Sequence, residues 1–159
     1  MKRARIVLTL SLSIMMMLGL ACDGGDVSIS TPTPTIVSTP TPVTTYISLI
    51  DNLREAGAVV EPRGEVALDF LSAKRRVISV NDSNVQVWEY DDAAAADAEA
   101  ALISPNGSSV RTATKFTLVD WIAPPHFYKA SKLIVLYVGD NQAVIDVLET
   151  VLGSQFAGS

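Results

Sequence analysis

Hydrophobic and polar positions divide the chain into three regimes. Residues 6–20 are mostly apolar, residues 23–45 carry few large apolar side chains, and from residue 46 onward apolar positions return with helical and extended periods. Tyr46, Leu49, Ile50 and Leu53 recur at helical spacing, with Asp51, Arg54 and Glu55 opposite. Thr45 is a suitable N-cap for that helix and Gly57 a suitable stop. Val59 and Val60 begin an extended piece, which Pro62 and Gly64 are expected to break. Val66, Leu68 and Phe70 alternate with Ala67, Asp69 and Leu71, predicting a short strand. Residues 76–80 and 85–90 read as a hairpin around Asn81, Asp82, Ser83 and Asn84, which tolerate turn geometry. Val85, Val87 and Glu89 share one face of it, and Gln86, Trp88 and Tyr90 the other.

Asp91 or Asp92 caps a second helix, expected to run to about residue 103 and to end at Ser104, Pro105, Asn106 and Gly107. Its seven alanines between Ala93 and Ala101 give high helix propensity and little bulk, so it can lie close against a sheet. Phe116, Leu118 and Ile122 oppose Thr117, Val119 and Trp121 in a strand expected over 115–122. Residues 133–138 are apolar at every position, the mark of a strand covered on both faces. Asp140 or Asn141 caps a last helix that turns Val144, Ile145, Leu148, Val151 and Leu152 inward. Gly153 ends it, and the tail beyond is expected to fray. These elements predict an α+β fold: an antiparallel sheet of about four or five strands with three helices packed on it, in partly ferredoxin-like order.

Three segments follow: 1–21 as a signal peptide, 22–45 as a tether, and 46–159 as one globular domain of ordinary size. Lys2, Arg3 and Arg5 precede the apolar run, and small Ala21 precedes Cys22, the only cysteine. A charged start, a short apolar core and a small residue at the cut describe a secretory signal. The run is short for a membrane span, which needs about 20 apolar residues. Leu18, Leu20, Ala21 and Cys22 resemble the lipobox of bacterial lipoproteins, with Gly19 where a branched aliphatic is usual. That resemblance implies cleavage after Ala21 and diacylglyceryl and further acylation of Cys22. A lone cysteine cannot form an internal disulfide, and several acyl chains give stable anchoring. Pro32, Pro34, Pro40 and Pro42 alternate with threonines, predicting a stiff, solvated polyproline II stalk.

The precursor carries a net charge of -5; without residues 1–21, nine basic residues face 17 acidic ones, a net charge of -8. That balance argues against nucleic acid as a partner, since Lys74, Arg75 and Arg76 form the one basic cluster. No cofactor or metal site is expected. Asp91 and Asp92 read as helix caps, and Asn81 to Asn84 lack the length and terminal glutamate of a calcium loop. A Cys–His site is ruled out by a lipidated Cys22. Ser131, His126 and Asp120 can be named as a triad, but no nucleophile elbow surrounds them, and no catalytic residue is assigned. The local feature that stands out is residues 121–128. There Pro124 and Pro125 stiffen what reads as a loop, presenting the sole histidine beside aromatics. Trp121, His126, Phe127 and Tyr128 are therefore the candidate ligand- or partner-binding residues, since rigid aromatics lose little entropy on binding. The competing reading is a strand connection that folds Phe127 and Tyr128 back into the edge of the core and leaves His126 simply exposed.

Residues 85–101, 121–141 and 144–158 together resemble a group of uncharacterised bacterial lipoproteins. These share a lipobox, a Thr/Pro-rich tether and one small C-terminal α+β domain. The resemblance implies architecture and location and supplies no functional residues. The sequence thus leads to a lipid-anchored extracytoplasmic lipoprotein, held in the cell membrane through Cys22 and facing the periplasm or cell surface. Its small domain is expected to be non-catalytic and to bind a protein, a peptide or an envelope component. The alternatives are a small envelope hydrolase or a structural accessory subunit of a membrane complex.

Overall fold

The computed structural model describes residues 41–66, 70–112 and 115–158. Cys22, the signal and most of the tether lie outside the described residues. The fold is α+β. Three helices pack on an antiparallel sheet of six strands in the order β1-β2-β3-β7-β6-β8, beside a two-stranded ribbon, β4-β5. The main sheet therefore exceeds the expected four or five strands.

Helix α1 (Tyr46–Glu55) starts where the sequence placed it. The Thr45 hydroxyl accepts from the Ser48 amide, and the Ser48 hydroxyl accepts from the Thr45 amide, a reciprocal capping box. Leu49, Ile50 and Leu53 are buried. Val43 also packs against their cluster, so ordered packing begins a few residues ahead of Tyr46.

Strand β1 (Val60–Val66) runs straight through Pro62 and Gly64, which were expected to break it. It survives because it is an edge strand. The ladder shifts register between Pro62 and Gly64, and a bulged edge can accommodate a residue that donates no hydrogen bond. Of the separate strand expected over 66–71, Val66 ends β1, Phe70 and Leu71 lie in a bend, and the rest falls outside the described residues.

Strands β2 (Arg75–Val80) and β3 (Ser83–Glu89) form the expected hairpin with a tighter turn. Only Asn81 and Asp82 connect them, at φ 47° and 64°, and Val80 pairs with Ser83. Two successive left-handed residues make a turn whose twist matches that of the strands, and Asn and Asp tolerate it best after glycine. Helix α2 (Ala93–Ala100) is capped by Asp92, which accepts from the Ala95 amide, and is shorter than expected. Strands β4 (Ser109–Arg111) and β5 (Phe116–Leu118) form the ribbon, so the strand expected over 115–122 shrinks to its first part.

Strands β6 (Pro125–Ala130) and β7 (Leu133–Val138) turn at Ser131, φ 49°, and Lys132. β7 lies between β3 and β6, with all but its last residue buried. Helix α3 (Gln142–Leu152) is capped by Asn141 and buries Val144 and Leu148. The tail does not fray: β8 (Ala157–Gly158) pairs with His126 and Phe127 of β6.

Alternation along β3, β6 and β7 feeds two cores. Val85, Val87, Tyr128, Leu133 and Val135 face α1 and α3. Trp88, Phe127, Ile134 and Leu136 face α2, with Val110 of the ribbon. This departs from the ferredoxin-like order, because α2 and α3 cover opposite faces and β3 runs antiparallel to β7. The chain between α2 and β6 contains the ribbon, whose Val110 packs in the same cluster as Trp88 and Ala96 and Ala100 of α2. Among the described residues, no helix is long and apolar enough to cross a membrane.

Candidate functional site

The four aromatic and histidine residues singled out in the sequence do not form one surface. From Pro125 onward the expected loop is strand β6, paired with β7 on one side and β8 on the other. Two-sided pairing sends successive side chains into opposite cores. Phe127 turns toward α2, where its ring meets those of Trp121 at 6.1 Å, Phe70 at 6.5 Å and Phe156 at 6.0 Å. Trp121 donates its indole N–H to the Gly107 carbonyl at 2.8 Å. Tyr128 turns toward α3 and is wholly buried. The expectation of an exposed, proline-stiffened loop is thereby corrected: Phe127 and Tyr128 are core residues, and Trp121 belongs to an aromatic cluster.

His126 is buried on the other side of β6 from Phe127. Its ring stacks on Tyr137 at 5.9 Å and 19°. Its Nε2 lies 3.0 Å from the Gly139 carbonyl and its Nδ1 2.8 Å from the Gln155 carboxamide. A carbonyl only accepts, so Nε2 carries the hydrogen. Gln155 presents its side-chain oxygen, Oε1, to Nδ1. Both ring nitrogens are thus engaged in fastening the β7–α3 junction and the C-terminal segment to β6. Ser131 sits in the hairpin turn five residues along β6, roughly 16 Å away at strand rise. The nominal triad is not assembled.

Tyr128 brings a different chemistry. Its hydroxyl is buried with no hydrogen-bond partner. Burial, reinforced by the carboxylates of Glu149 and Asp146 on α3, pushes its pKa up to about 12. An unpaired phenol under a helix costs stability, and the sequence gives no sign of it.

A polar concavity was not legible in the sequence. It is an open cleft of about 670 Å³ where β2 begins, β3 ends and the β6–β7 turn projects. Lys74, Arg76, Glu89, Asp91 and Lys132 line it, with Ser72 and Tyr90. Glu89 holds it together, accepting from Arg76 at 3.0 Å and from Lys132 at 3.2 Å. The Arg76 guanidinium also lies 4.7 Å above the Tyr46 ring. Burial raises the Tyr46 pKa, and the Arg76 charge partly offsets this. Strand alternation explains why the basic triplet divides. Arg76 faces Tyr46 and Glu89, while Arg75 donates to Gln86 at 2.7 Å. The one signal available was Lys74, Arg75 and Arg76 itself, and the partners of Arg75 and Arg76 come from 11 and more residues away.

The ribbon is the second exposed feature. Phe116 is 51% exposed, Leu118 73% and Ile122 99%. The Arg111 guanidinium lies 4.7 Å above the Phe116 ring. A smaller cavity of about 500 Å³ separates residues 41–43 from Asn52, Glu55, Thr150 and Val151 of α1 and α3.

No family model, curated protein or solved structure matches the chain.

Proposed function

We propose that the chain is a membrane-anchored extracytoplasmic lipoprotein, held through lipid on Cys22, whose small non-catalytic domain binds a protein, peptide or envelope component. The observation that carries the reading is the sequence from Leu18 to Cys22, a lipobox-like end to an apolar run that is followed directly by a Thr/Pro-rich tether. On this reading the protein belongs with the lipoproteins it resembles. It sits in the cell membrane with its domain outside the cytoplasm.

The charged cleft is the surface we assign to the partner. Its three cations and two carboxylates suit a polar ligand or peptide that carries both signs of charge, and the acidic remainder of the chain disfavours nucleic acid. The non-catalytic reading is supported by His126, whose two ring nitrogens are already committed to Gly139 and Gln155.

Two measurements test the proposal. Mass spectrometry of the native N-terminal peptide is expected to find a chain that starts at Cys22 and carries acyl groups. A free thiol, or another start, overturns the anchor. Crosslinking from intact membranes, with the lipidated chain as bait, is expected to capture a partner that the variant Lys74→Glu loses while its melting temperature holds, Lys74 being exposed. Capture unchanged in that variant removes the cleft from the proposal.

A further inference from the structure

The β4–β5 ribbon presents apolar side chains that the fold leaves uncovered. Phe116 and Leu118 lie two positions apart in β5 and so share one face, and Ile122 stands almost free four residues on. The ribbon satisfies its own backbone. The Thr112 amide donates to the Lys115 carbonyl at 2.8 Å, and the Val119 amide donates to the Ser108 carbonyl at 2.9 Å. Phe116 and Leu118 on β5, followed closely in the chain by Ile122, are exposed apolar residues of the kind that form interaction surfaces.

Charge indicates what that site meets. Over residues 109–122 the charged side chains are Arg111, Lys115 and Asp120, a net charge of +1 in a chain that is otherwise acidic. Arg111 lies directly over the Phe116 ring, so a cation rims the apolar side chains. A second copy of the chain docked ribbon to ribbon would set these cations against each other. The three side chains also fall short of a stable protein interface, which needs about 800 Å² from each partner. A bilayer surface sets no second cationic ribbon against the first, and interfacial binding needs only the burial of a few apolar side chains and the short-range attraction of the ribbon's own cations by lipid phosphates.

We propose that the ribbon rests on the bilayer that carries the anchor. Leu118 and Ile122 enter the boundary between headgroups and acyl chains, and Arg111 and Lys115 face anionic lipid phosphates. The inference rests on the lipid-anchored reading for the nearness of a bilayer. Between Cys22 and Thr41 the chain spans at most roughly 60 Å as an extended polyproline segment. An anchored domain never leaves that distance, so a weak surface contact becomes a populated one.

The test uses the mature chain carrying Cys22→Ser, which has no anchor, floated with phosphatidylcholine vesicles with and without phosphatidylglycerol. We expect it to float with the anionic vesicles. Leu118→Ser/Ile122→Ser should lower the partition coefficient about tenfold with no change in melting temperature, both side chains being exposed. Arg111→Gln/Lys115→Gln should remove the preference for phosphatidylglycerol. In vesicles holding the lipidated chain, acyl-brominated lipid should quench Trp121, which stands next to Ile122, more than fully buried Trp88. Failure to float, or flotation that Leu118→Ser/Ile122→Ser leaves unchanged, overturns the proposal. Self-association in the ultracentrifuge that the same variant abolishes assigns the patch to a second copy and also overturns it. Because the floated chain has no lipid, the flotation result is independent of whether Cys22 is acylated.

Discussion

The two faces of the central sheet are covered by different means. On one, α1 and α3 lay aliphatic stripes over Ile78, Val80, Val85, Val87 and Val135, so that leucines and isoleucines of the helices meet valines of the strands. On the other, α2 contributes only Ala96 and Ala100 as buried residues. Depth there comes from the sheet and its connections. Trp88, Phe127, Phe70 and Trp121 fill the space with edge-to-face rings 5.3 to 6.5 Å apart. A helix without bulk approaches closely and covers little, so long rings must rise to meet it, and apolar residues are left at the margin. The exposed ribbon side chains occur on this side. A face covered by amphipathic helices is filled by their aliphatic stripes, whereas one covered by a helix of small residues is filled by aromatics from the sheet and its connections.

Val135→Asp is expected to have the largest effect. It places an unpaired charge at the centre of β7 under α1 and α3, and its cost of several kcal/mol rivals the whole stability of a small domain. Circular dichroism should show an unfolded chain; a cooperative melt near the wild-type temperature would mean that the helix-covered face is looser than its burial implies.

Phe127→Ala tests the aromatic face. Removing the ring that contacts Phe70, Trp121 and Phe156 should cost about 3–5 kcal/mol in denaturant unfolding, at least as much as Leu148→Ala under α3. If Phe127→Ala costs under about 1 kcal/mol, the aromatic cluster is not the core of that face.

Ala96→Leu sharpens the contrast, because Ala96 is fully buried against the sheet. Extra carbons there should destabilise by about 1–3 kcal/mol through overpacking. A stabilised variant would mean that α2 stands off the sheet.

Tyr128→Phe should have the smallest effect at neutral pH, neutral to stabilising by about 1 kcal/mol, since it deletes a buried hydroxyl without a partner. Its signature is in the pH profile. A phenol with a folded pKa of about 12 against an ordinary value of 10.0 leaves the folded state holding a proton that the unfolded state has released. Its contribution is therefore complete below pH 10, is lost as pH rises from about 10 to about 12, and then levels off. Denaturant unfolding across that window should show a shallower loss in Tyr128→Phe than in the wild type. Equal slopes would refute the buried, proton-retaining phenol.

The contrast between the faces also marks how far the sequence could be read. Helices α1 and α3, their caps at Thr45 and Asn141, the cap of α2 at Asp92, the β2–β3 hairpin and the doubly covered β7 were all legible. Each is set by neighbours within a turn or two: a periodic stripe, a capping side chain, a pair of turn residues. The α+β class follows from the same information. What lay beyond reach depends on residues distant along the chain. β1 runs through Pro62 because it occupies an edge, a position that the sheet order assigns and the segment itself does not. Residues 157–158 become strand β8 only because β6 offers an open side, where the Phe156 amide can donate to the Phe127 carbonyl. The segment from Trp121 to Tyr128 shows the limit most clearly. Two prolines beside aromatics read locally as an exposed, stiff loop. Pairing with β7 and β8 instead divides Phe127 from His126 and Tyr128 and buries all three, while the charged cleft forms from residues that meet only after the sheet has closed. Local periodicity and capping determined which segments are helix and strand. Only tertiary pairing decided which side chains face water, because exposure depends on what the rest of the chain brings alongside.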